Sequence, residues 1–198
     1  MDTTHTHSII SERKPPRGTF DNAACMAALR AGADHLLAQC GTLVVGADIQ
    51  AFSAPSTVMP GGTIGKHVRH VLDHYQALLR ACEHEGATID YDHRARDERT
   101  QTDPAPALRV IETVRVAVRA LPDDAQRRVI VELLTFAHGP TTLVASTLAR
   151  ELAFATHHAV HHQAMIGAIA AEVGVRVPDL FGKAPATIAH ERTETTRH

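Results

Sequence analysis

Apolar residues recur at three- and four-residue intervals through most of this chain, and that recurrence predicts helices. The first spans residues 20–40, rich in alanine and leucine, with Asp21 or Asn22 placed to cap it. Residues 41–62 break the pattern with Pro55, Pro60 and several small residues, which predicts a long connection with room for one helical turn. A second helix follows over about 63–85, where Ile64, Val68, Val71, Leu72, Tyr75, Leu78, Leu79 and Cys82 keep the spacing of one face. The charged, proline-containing stretch 86–106 predicts a loop, and 107–121 a third helix that Pro122 terminates.

The pattern then changes. RVIVELLTF and TTLVAS are dense in β-branched and apolar residues and flank HGP, so they predict a β-hairpin. A fourth helix starts with Ser146 or Thr147 as cap, runs to about 173 and is ended by Gly174. Pro178 and Pro185 argue against much further helix, and ERTETTRH reads as disordered. The expected fold is mainly α: four helices, with a short β-hairpin between the third and the fourth. One domain over 20–186 is expected, between a disordered polar leader, 1–19, and a disordered tail, 187–198.

Candidate chemistry lies in the fourth predicted helix, where THHAVHHQAMI puts four histidines into six positions. His157 with His161 and His158 with His162 are both i, i+4 pairs, and two imidazoles one turn apart can converge on one metal ion. Helix projection separates the pairs. With Leu148 as zero, Leu152, Ala155, Ile166, Ile169, Ala170 and Val173 fall within about 60° and mark the buried face. His162 and His158 sit on its shoulder at about 40° and 80°, whereas His157 and His161 lie roughly 140° to 180° away. The inward pair is therefore His158 and His162. Glu151, two turns before His158, shares that shoulder as a partner for a ligand or as an acid–base group.

A further ligand must come from elsewhere, and the second predicted helix carries His67, His70 and His74 in a strip about 60° wide beside its apolar stripe. His67 and His74 lie nearer the centre of that stripe, but projection alone does not choose among the three. Any isolated histidine is more often an amphipathic filler than a ligand; two helices that each carry a cluster shift the balance towards metal.

Composition narrows the field. The chain has 198 residues, enough for one core, and 15 histidines, so mild acid should make it markedly more positive unless metal holds the rings neutral. A net charge of −2 gives no electrostatic reason to expect nucleic acid or an anionic membrane as partner. Cys25, Cys40 and Cys82 are odd in number and lack CxxC spacing, which points away from disulfides and thiolate zinc and towards a reducing cytoplasm. The leader has no apolar signal-peptide core, and no apolar run reaches the roughly 18 residues of a membrane span.

These motifs resemble the DinB-like superfamily, which includes the YfiT-like metal-dependent hydrolases and thiol-dependent transferases. HVLD at 70–73 resembles the family's second-helix motif, and HAVHH at 158–162 its fourth-helix HxxxH motif. STLARELAF and FGKAPAT are similar to segments of an uncharacterised subgroup. The chain departs from many members in having Met165, not glutamine, three residues after the last histidine. The resemblance covers roughly residues 20–174 and implies a four-helix bundle with His70, His158 and His162 as ligands, where the residue pattern alone leaves His67 and His74 as alternatives to His70.

Three neutral histidines leave a divalent metal (zinc, nickel, manganese or iron) with open positions, the arrangement of catalytic rather than structural sites. Such a metal lowers the pKa of a bound water or thiol, which suits a hydrolase or an S-transferase acting on a small molecule, a low-molecular-weight thiol included. Glu151 or a spare histidine would move the proton. Arg94 and Arg96 in YDHRARDER could hold a substrate carboxylate or phosphate, against the plainer reading of a solvated loop with internal ion pairs. A non-enzymatic metal-binding protein of the same fold is the alternative, and bundles of this kind often form homodimers.

Overall fold

A computed structural model describes residues 20–83, 88–93 and 98–195. Among the described residues the chain forms seven helices and one three-stranded sheet. Helix α1, Asn22–Val45, opens where Asp21 accepts a hydrogen bond from the Ala24 N–H, as an N-cap should. It runs past the expected end at 40. A single glycine costs a helix only about 1 kcal/mol, and beyond Gly41 the helix buries Leu43 and Val44. The connection that follows contains one helical turn, α2, Ile49–Ser53, which drives Phe52 into the core.

Helix α3, Ile64–Glu83, begins where Thr63 Oγ1 accepts from the Lys66 N–H, and it buries the apolar stripe expected of it, Val68, Val71, Leu72, Tyr75 and Leu78. Gly65 lets its first turn approach its neighbours. A Cβ there would stand 2.0 Å from the Gln101 carbonyl oxygen and 2.6 Å from the Phe52 ring.

The expected loop 86–106 contains more order than its composition suggested. It holds strand β1, Thr88–Asp90, and helix α4, Glu98–Thr102. Helix α5, Pro104–Arg119, starts three residues before the expected 107, because Pro104 occupies the first turn, where the missing N–H has no partner to lose, and Asp103 caps it through the Ala105 N–H.

Strands β2, Arg128–Leu134, and β3, Thr141–Thr147, form the antiparallel hairpin, with Val131 opposite Val144. Strand β1 adds to β2 in parallel, Ile89 opposite Val131, giving the order β1-β2-β3. Val129 and Val131 face the core from β2 while Ile130 faces solvent.

Helix α6, Leu148–Glu172, is capped by Thr147 and followed by Gly174 at φ +76°. Helix α7, Pro185–Thr195, overturns the expectation of little helix after Pro178 and of disorder from 187: Pro185 stands at the start of the helix, the position proline tolerates.

The four long helices bury one another. Helix α1 packs on α5 and α6, and α3 packs on the same two. Between α6 and α1, the fully buried Gln163 donates to the Leu36 carbonyl at 2.8 Å and to Cys40 Sγ at 3.4 Å. That contact fixes the rotation of α6 and with it the direction of the neighbouring His162. Between α1 and α5, Asp34 accepts from Arg115 and Arg119, and the Arg115 hydrogen bond holds its carboxyl below the usual range. Among the described residues no helix is long and apolar enough to cross a membrane.

Candidate metal centre

The contact between α3 and α6 carries the chemistry. Residues 67, 70 and 74 on α3, and 158 and 162 on α6, each recur at helical intervals of three or four, so each set projects along one side of its helix. Where the two sides meet, five imidazoles crowd together. His70 Nε2 lies 3.0 Å from His158 Nε2, and His67 Nδ1 lies 3.0 Å from His162 Nδ1. The ring centres of His74 and His158 are 4.0 Å apart, and those of His70 and His162 4.4 Å.

One nitrogen from each of His70, His74 and His158 lies within 4.8 Å of the other two, so these residues stand close enough to hold one metal ion. Two nitrogens bound tetrahedrally to zinc are about 3.3 Å apart, and a set this compact reaches that spacing by small side-chain rotations. His74 is also oriented. Its Nδ1 meets the His70 carbonyl at 2.9 Å, and since the carbonyl only accepts, the proton sits on Nδ1 and Nε2 is the nitrogen that carries the lone pair.

The ligand set inferred from the motifs, His70, His158 and His162, shares two members with this triad. His162 stands beside it, its ring centre 4.5 Å from that of His158, and is paired with His67. His157 and His161 are exposed, as the helix projection required.

Electrostatics keeps the cluster receptive to cations. Burial pushes His162 down from 6.5 to about 3, and protonated His158, His67, His161 and His74 would push it the same way. Burial likewise lowers His67, aided by His161 and Lys66. Both rings are therefore neutral at pH 7, and in their Nδ1–Nδ1 contact one donates its proton while the other accepts with its single lone pair.

Around the histidines lies a shell of Tyr91, Glu151 and Phe154, of which Tyr91 has little signal in the sequence. Tyr91, just after β1, stacks on His74 with ring centres 5.1 Å apart and planes 16° apart. Its hydroxyl donates to Glu151 Oε2 at 3.0 Å, and burial, with Glu151 beside it, raises its pKa. Glu151 also accepts from Ser146 Oγ at 2.6 Å and from Arg150 at 3.0 Å. Thus Glu151 reaches the cluster through Tyr91. Phe154 stacks on His158, one turn away on α6, a spacing that was readable. Arg94 and Arg96 lie outside the described residues.

Beside His67, His70 and His162 opens a cavity of about 430 Å³, its far wall the turn 59–62. Gly62 makes room for the cluster: a Cβ there would stand 2.9 Å from His67 Nε2.

Comparison with known proteins assigns no family. No family model matches the chain, and no solved structure does. Among curated proteins, a 45-residue stretch is 49% identical to FK506-binding protein 5 of Rhizopus delemar (strain RA 99-880). It covers 23% of this chain and 12% of that protein.

Proposed function

We propose that this protein is a divalent-metal-dependent enzyme acting on a small molecule, as a hydrolase or a thiol S-transferase, and that three imidazoles of the α3–α6 cluster hold the metal. The observation that carries the reading is the convergence of His70, His74 and His158 from two helices, with the His74 tautomer set by a backbone carbonyl. The donor set is all nitrogen, which suits zinc, nickel, iron or manganese. When bound, such an ion would lower the pKa of a water or thiol beside it. The residues of the chain do the rest. Tyr91 and Phe154 cover the outer rings of the cluster, and the cavity beside His67 and His162 supplies an approach from solvent. His67 and His162, neutral at pH 7, line that approach and leave it free of imidazolium charge.

The proposal extends to the fold. HVLD and HAVHH, together with the mutual packing of α1, α3, α5 and α6, support reading the chain as a DinB-like four-helix bundle. A second reading is favoured by one observation: His162 is near enough to His70 and His158 to become a fourth ligand, and four protein ligands would close the site and make it structural.

Cobalt(II) substitution separates the two. An open site predicts that a small thiol such as 2-mercaptoethanol adds a sulfur-to-cobalt charge-transfer band to the spectrum. A spectrum indifferent to thiol and to azide would mean a closed site and defeat the enzymatic reading.

A further inference from the structure

The cavity beside the histidine cluster carries more positive charge than a neutral substrate needs. Lys66 and Arg69 stand in its wall with His67, His70 and His162, and the lining contains no carboxylate. Lys66 Nζ donates to the Gly61 carbonyl at 2.8 Å, which holds the ammonium at the cavity's edge instead of letting it extend into solvent. Arg69 is more deeply set, its side chain 14% exposed, with one terminal nitrogen 3.2 Å from Asp73 Oδ2. Its Nε is buried and has no acceptor among the described residues. That buried atom does not face the cavity; what Arg69 offers there is the rest of its guanidinium, whose charge it shares with Asp73. The remaining wall, the turn 59–62 with Met59 and Pro60, is apolar.

We propose that this cavity is an anion-recognition subsite: Lys66 and Arg69 bind the carboxylate or phosphate group of a small substrate whose apolar body lies against Met59 and Pro60. The inference rests on the enzymatic reading for the reaction but not for the anion, since both cations belong to the chain. It names the substrate class. A ligand of a few carbons with one oxyanion group fits about 430 Å³, and it would enter beside His67 and His162 with its charge already neutralised. The sequence suggested this chemistry for Arg94 and Arg96; the described cations that carry it are on α3.

The test is calorimetric titration of the full chain at pH 8, above the ordinary imidazole range, with butyrate, inorganic phosphate and neutral butyramide as probes. Chelator-treated and zinc-loaded protein are compared. Saturable binding of butyrate or phosphate to the chelator-treated protein is expected, with butyramide at least tenfold weaker. The tighter anion identifies the group as carboxylate or phosphate. Lys66 is exposed, so Lys66→Gln should fold normally and weaken the anion about fivefold, and Lys66→Arg should restore it. Anion binding only in the zinc-loaded form and indifferent to Lys66 would overturn the subsite while leaving the metal reading intact. Anion binding that depends on Lys66 in a protein that holds no zinc would do the reverse. Equal binding of butyramide and butyrate would also overturn the subsite.

Discussion

Acidification should destabilise the metal-free protein through the histidine cluster, and His162 sets the scale. Its ring is held neutral down to about pH 3 in the folded chain, against 6.5 ordinarily. Above pH 6.5 the folded and unfolded chains both leave it unprotonated and it contributes no pH dependence. Below 6.5 the unfolded chain takes up a proton that the folded chain refuses, so stability falls as pH falls, until the folded ring itself protonates near 3. Integrated from pH 6.5 to 5, one such group costs about 1.5 kcal/mol, or roughly 3–6 °C in Tm for a chain of this size. His67, shifted in the same direction, adds to the loss. The assay is thermal unfolding of chelator-treated protein across pH 5–8, with His162→Gln as comparison, which should flatten the slope between 6.5 and 5. Ring-proton NMR gives an independent reading, because the His162 signal should not titrate between pH 8 and 5. A His162 titration midpoint near 6.5, or a slope unchanged in His162→Gln, would refute the reasoning.

Two further predictions test the frame that holds the cluster. Gly65→Ala puts a methyl group 2.0 Å from the Gln101 carbonyl oxygen and against the Phe52 ring, so it should destabilise by about 1–3 kcal/mol, read by urea unfolding. Tyr91→Phe removes a hydrogen bond to the buried Glu151 while keeping the ring on His74; it should cost about 1.5–3 kcal/mol of stability yet leave zinc affinity within about twofold. A large loss of affinity in Tyr91→Phe would mean that the hydroxyl orients the ligands.

Local signals carried much of this structure. The apolar stripe of α3, the cap at Thr147, the hairpin and the outward turn of His157 and His161 all follow from spacing within a single element. What was not legible depends on contacts between elements or on the context of a breaker. Strand β1 has three residues and exists through parallel pairing with β2, some forty residues on. Pro185 counts against helix in the sequence, and Pro104 falls in a stretch whose composition predicts a loop, although proline at a helix start is tolerated and both open helices. α1 continues through Gly41 because Leu43 and Val44 find a core to enter. Tyr91 reached the cluster without any motif, since only the fold brings the end of β1 to α3. Whether His74 or His162 stands closer to His70 and His158 depends on how α3 crosses α6, which a projection of either helix alone does not contain.

If histidines from α3 and α6 together hold one metal ion, the chain must bind zinc through residues of both helices. Zinc titration of the chelator-treated full chain in competition with a chromophoric chelator tests it most directly, with His70→Ala, His74→Ala and His158→Ala measured beside the parent. One tight equivalent per chain is expected, weakened at least about a hundredfold by each substitution, because a two-imidazole site keeps little affinity. A chain that fails to compete for zinc, or one whose competition is indifferent to all three substitutions, would contradict it.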